Sequence, residues 1–199
     1  MKKYCFIAIA LVLLSCTSNH KQPATPNDAD EKKTDSFFPV TSFIKGQLTI
    51  LDSLPVTPLQ ITTIKGKTDS AWISKQVLRS DLQPFITPEI GGTNFIKYFK
   101  ETRFVDQTLH AVTFTYDLIN KIPDSIPLRH WDVYIDPETG NIMKVYIVKD
   151  LKEKDQIFTQ QLTWQTNKMA KISTILNKPD GNMELLKEVV FMWGFDPVN

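Results

Sequence analysis

Along the chain the apolar residues first form an unbroken run, then disappear, then return at helical spacing, and finally settle into alternation. The run spans Tyr4 to Leu14, follows the basic Met1-Lys2-Lys3 and stops at Ser15. It is too short for a bilayer-spanning helix, which needs about 20 apolar residues, and matches the basic and apolar regions of a secretory signal. From Thr17 to Asp35 there is no aromatic and no large aliphatic residue. Such a segment cannot bury enough apolar surface to offset the entropy of ordering it, which predicts a tether. His20 falls within it as a solvated polar residue. Val40, Phe43, Ile44, Leu48 and Leu51 then recur with helical spacing behind Pro39, predicting an amphipathic helix that ends before Pro55. Leu59 to Lys65 reads as a strand stopped by Gly66. Trp72 to Leu82 reads as a helix ending at Pro84, with a strand around Trp72 as the alternative.

Alternation governs the second half. Val112, Phe114 and Tyr116 share one face of a strand, with Thr113 and Thr115 on the other; Trp131, Val133 and Ile135 alternate with His130, Asp132 and Tyr134. Asp136-Pro137-Glu138-Thr139-Gly140 supplies a hairpin turn into Ile142 to Val148. Phe158, Leu162 and Trp164 mark the next strand, Thr166-Asn167 a turn, Ala170 and Ile172 a return strand, and Lys178-Pro179-Asp180-Gly181 a turn into the segment ending at Trp193. The expectation is an α+β domain: an N-terminal amphipathic helix packed on a curved antiparallel sheet that ends in a five-strand meander. Trp131, Trp164 and Trp193 take the apolar parity, which places them in the core with each indole N–H finding a partner. In architecture this order is similar to the half-barrels of periplasmic lipoprotein carriers.

Leu13-Leu14-Ser15-Cys16 resembles the lipobox of bacterial lipoproteins. The resemblance implies cleavage before Cys16, a diacylglyceryl thioether on its sulfur and a further acyl chain such as palmitate on the freed amine; two or three chains make a stable membrane anchor. The stretches Phe38-Pro39-Val40-Thr41, Phe99-Lys100-Glu101, Asp106-Gln107-Thr108, His130-Trp131-Asp132-Val133-Tyr134 and Leu162-Thr163-Trp164-Gln165 are also similar to a group of uncharacterised envelope lipoproteins. Residues 1–15 are thus expected to be a signal peptide, 16–36 the lipidated cysteine and tether, and 37–199 a single domain. Thr17, where retention in the inner membrane would call for Asp, implies by the same family rule the periplasmic face of the outer membrane.

Composition narrows the function. Cleavage takes Lys2 and Lys3 from the 23 basic residues and leaves all 22 acidic ones, so the mature chain is close to neutral. Its charges are interspersed, as in Lys149 to Asp155, which reads as a solvated loop; nucleic acid is not an expected partner. Of the two cysteines, Cys5 leaves with the signal and the lipid consumes the sulfur of Cys16, so disulfides and thiol catalysis are not expected. The seven glycines form no phosphate loop or dinucleotide fingerprint, and neither metal-site spacing nor a cofactor motif is present. His110, at the end of an apolar face, reads as a histidine at the rim of the core. His130, Asp132 and Tyr134 share the polar face of one strand and form the candidate binding constellation. Three functions remain open, in this order: a non-catalytic binding or scaffold module contacting envelope protein, glycan or lipid; a lipid or lipoprotein carrier with an apolar cavity; and a hydrolase using His130 and Asp132. A monomer is expected.

Overall fold

The computed structural model describes residues 36–194. The expected signal peptide, Cys16, His20 and all of the expected tether but Ser36 lie outside the described residues. Within them the protein is mainly β. Nine antiparallel strands form one open sheet, and the three helices have 14, 7 and 4 residues. This corrects the α+β expectation: the amphipathic helix exists but begins at Val40, well inside the chain, and the meander is longer than five strands. No helix among the described residues is long and apolar enough to cross a membrane.

The first helix, α1 (Val40–Ser53), buries Val40, Thr41, Ile44, Leu48 and Leu51, the stripe its spacing requires. It stops because Leu54 precedes Pro55 and is driven to an extended conformation, ψ 143°. The carbonyl of Asp52, in its last turn, accepts from Lys75 Nζ. Next comes the hairpin of β1 (Leu59–Ile64) and β2 (Lys67–Trp72). Its turn residues Lys65 and Gly66 both have positive φ (50° and 76°), the backbone that a two-residue hairpin loop demands. Ser74 caps α2 (Lys75–Asp81) by accepting from Val77 N–H at 3.2 Å, and α3 (Gln83–Ile86) follows.

Seven consecutive strands then form an uninterrupted meander: β3 (Phe99–Asp106), β4 (Ala111–Leu118), β5 (Leu128–Ile135), β6 (Ile142–Glu153), β7 (Gln156–Gln165), β8 (Met169–Asn177) and β9 (Met183–Met192). The hairpin β1–β2 joins its far end through β1 on β9, so the order is β2-β1-β9-β8-β7-β6-β5-β4-β3. The predicted turns at Asp136 to Gly140 and Lys178 to Gly181 are present, with Gly140 at φ 71° and Gly181 at φ 84°. The segment Lys149 to Asp155, expected to be a solvated loop, is instead the end of β6 and a two-residue turn.

One face of the sheet packs against the helices. Phe85 of α3 meets Trp164 edge-on at 5.6 Å, and Phe37 meets Trp131 at 6.0 Å. Trp131, Trp164 and Trp193 are all buried, as their parity predicts. The expected partners of the indoles are not found: Nε1 of Trp131 and of Trp164 has no acceptor among the described residues. These rings are packed by shape and stacking alone. Lys149 continues the covered parity of Val145 and Ile147 and is itself buried, its ammonium donating to the carbonyls of Pro84 and Thr87 at the end of α3. A lysine in place of an apolar residue thus ties the helical layer to the sheet.

Candidate functional site

The opposite face is built from the other parity and is polar. Antiparallel register places Asp117 opposite His130 and Thr115 opposite Asp132 across β4 and β5, and Tyr146 opposite Asp132 and Lys144 opposite Tyr134 across β5 and β6. Facing residues on neighbouring strands stand about 5 Å apart, close enough for these side chains to meet.

They do meet. The Asp132 carboxylate is the hub: Oδ1 accepts from Thr115 Oγ1 at 2.7 Å, and Oδ2 accepts from His130 Nε2 at 3.0 Å and from the Tyr134 hydroxyl at 3.3 Å. The other ring nitrogen of His130, Nδ1, lies 2.8 Å from Asp117 Oδ1. The three residues expected to form a constellation are therefore brought together. Thr115 and Asp117, which sequence reasoning did not assign to it, complete it from the neighbouring strand. His110 does not belong: it is exposed in the turn between β3 and β4 at φ 48°, away from the rim of the core where it was expected.

A carboxylate stands at each ring nitrogen of His130, an arrangement that favours the imidazolium, which can donate to both. Its hydrogen bond to Asp132 raises its pKa above 6.5 against the opposing effect of burial, and Asp117 adds to the rise. Burial pushes the Asp132 carboxyl up, but hydrogen bonds from His130, Thr115 and Tyr134 outweigh it and leave the group below its ordinary value. Burial, with the Asp132 charge, raises the Tyr134 phenol to about 12.

No protein-family model, curated protein or solved structure matches this chain. The site must be read from its own geometry. Toward the end of the sheet where β3–β4, β5–β6 and β7–β8 turn, Tyr134 forms part of a pocket of about 380 Å³, shared with Ala111, Met143, Lys144, Gln165 and Thr166. Among the described residues no group of three or more His, Cys, Asp or Glu is placed to hold a metal ion.

The pair His130–Asp132 sets a pH dependence. A raised histidine contributes stability that is fully present below its unfolded value of 6.5 and lost as pH rises through the folded value. A depressed aspartate contributes stability that is present above 3.8 and lost as pH falls through its folded value. The network is therefore at full strength between those limits. Urea unfolding should show the stability advantage of wild type over Asp132→Asn shrinking as pH rises above 6.5. Parallel pH profiles for the two proteins would show that the network carries no linked proton.

Proposed function

We propose that the chain is a lipid-anchored protein of the cell envelope, held through Cys16 to the periplasmic face of the outer membrane, and that its domain is a non-catalytic binding module. One observation carries the binding reading: the polar face of β4–β7 holds a fixed, hydrogen-bonded constellation that runs into a pocket, while the helix-covered face is filled with side chains. A carrier needs an apolar cavity under its helices; here Trp131, Trp164, Phe85 and Phe99 occupy that space, each at most 1% exposed.

Hydrolysis is poorly served by the same atoms. A general base needs a free ring nitrogen near neutral pH, and both nitrogens of His130 are engaged by carboxylates. The neighbouring hydroxyl of Thr115 spends its proton on Asp132. A prearranged, charge-balanced network is better suited to holding side chains rigid for recognition, since orientation fixed in advance lowers the entropy lost on binding.

Two measurements test the reading. Labelled palmitate should enter the wild-type chain and not Cys16→Ala, and the variant should leave the membrane fraction; equal labelling removes the anchor. Native mass spectrometry of the full-length protein released from membranes should show a bound mass beyond the acylated chain, lost in Tyr134→Ala at unchanged melting temperature. If the bound mass is absent, or persists in the variant, this face is not the binding surface.

A further inference from the structure

We propose that the pocket at the turn end of the polar face takes a small carboxylate with an apolar body, anchored on the ammonium of Lys144. This rests on the binding-module reading and names the ligand class for it.

The chemistry of the wall points there. Lys144 is half-buried, and its Nζ sits 3.8 Å over the ring of Tyr134. That position fixes the charge without neutralising it. Among the described residues Lys144 has no carboxylate partner, unlike Arg79, Arg129, Lys171 and Lys178, each of which is paired with an acid. The phenol hydroxyl of Tyr134 donates to Asp132 and not to a ligand. Gln165 lies directly across from Lys144 in the β6–β7 register, and its carboxamide has no hydrogen bond among the described residues. A cation and an amide donor thus stand side by side, each with hydrogen-bonding capacity to spare. A carboxylate can use both with its two oxygens.

The remaining wall sets the rest of the ligand. Ala111 is buried at the base, and Leu109 and Met143 are exposed at 44% and 42% around the pocket. Lys168 lines the same pocket beside Lys144, and apolar surface next to these cations fits an amphipathic carboxylate better than a phosphate, which would call for a cluster of backbone N–H donors. A volume of about 380 Å³ lies near the low end for ligand sites and limits the apolar part to a ring or a short chain.

The experiment uses the full-length chain in lipid nanodiscs, with empty nanodiscs as the blank, and follows 4-fluorophenylacetate and its neutral amide by fluorine NMR line broadening. The carboxylate should bind and the amide should bind at least about tenfold more weakly. Lys144→Met, which keeps the aliphatic stem, should weaken carboxylate binding by a similar factor, and Lys144→Arg should restore most of it, at unchanged melting temperatures. Equal binding of acid and amide, no binding of either, or an unaffected Lys144→Met variant would overturn the proposal. If a bound mass sensitive to Tyr134→Ala is still found in that case, the binding-module reading stands with a different ligand; if it too is missing, both fall.

Discussion

Trp131→Ala should lower the free energy of unfolding by about 3–5 kcal/mol, the range for deleting a fully buried large aromatic side chain. Trp131 is inaccessible to solvent and forms the centre of an aromatic cluster. It stacks on Tyr116 at 4.5 Å with the planes 9° apart, meets Phe99 at 4.6 Å, and touches Phe37 and Phe95 at 6.0 and 6.4 Å. Those partners come from β3, β4 and two segments outside the sheet, so no single neighbour can move in to fill the void. Trp131→Phe provides the control. Because the indole N–H has no acceptor, this change removes volume without breaking a hydrogen bond, and about 1–2 kcal/mol is expected. Urea denaturation of the three proteins decides it; a loss under about 1 kcal/mol for the alanine variant would mean that the cluster collapses around the gap.

The second large effect concerns Lys149. Burial lowers its pKa from 10.5 to about 8. A depressed lysine destabilises the fold while it is charged: the penalty is fully present below the folded value and fades as pH rises toward the unfolded one. That lowering corresponds to about 3 kcal/mol near neutrality, and the bonds to the Pro84 and Thr87 carbonyls keep the ammonium in place despite it. Lys149→Met keeps the length and removes the charge. The difference in unfolding free energy between variant and wild type should therefore shift by about 2 kcal/mol in favour of wild type between pH 7.5 and 10. Taking this difference cancels the contributions of His130 and the tyrosines. A pH-independent difference would show that the amine keeps its ordinary affinity for protons inside the fold.

Lys149 also shows where sequence reading stopped. In Val145-Tyr146-Ile147-Val148-Lys149 the alternation continues through the lysine, but surrounding charges make the stretch look solvated, and only the carbonyls of a segment some 60 residues earlier give the ammonium a reason to be inside. Strands with one buried face, such as β4, β5 and β7, were legible because their partners on either side enforce alternation. The edge strands were not. Every residue of β2 is exposed, and β3 buries only Phe99, so neither carries a period-two pattern. Missing β3, and the attachment of β1 to β9, is what turned a nine-strand sheet into an expected α+β domain. The site was half visible for the same reason. His130, Asp132 and Tyr134 lie on one strand and follow from parity, whereas Thr115 and Asp117 join them only through the register of β4 against β5.

The attachment of β1 to β9 also governs the order of assembly. The strands β3 to β9 pair with their immediate successors and can zip together as they appear, but Leu59 to Ile64 find their place only beside Val189 to Met192 and neighbouring residues, more than a hundred positions later. Such distant pairing is slow because a long loop must close first. On a ribosome the β1–β2 hairpin, made among the earliest elements, waits unpaired for almost the whole remaining synthesis of the chain. Its exposed polar residues Lys67, Thr68, Asp69 and Ser70 suit that wait, since they leave its outer edge a poor template for another chain.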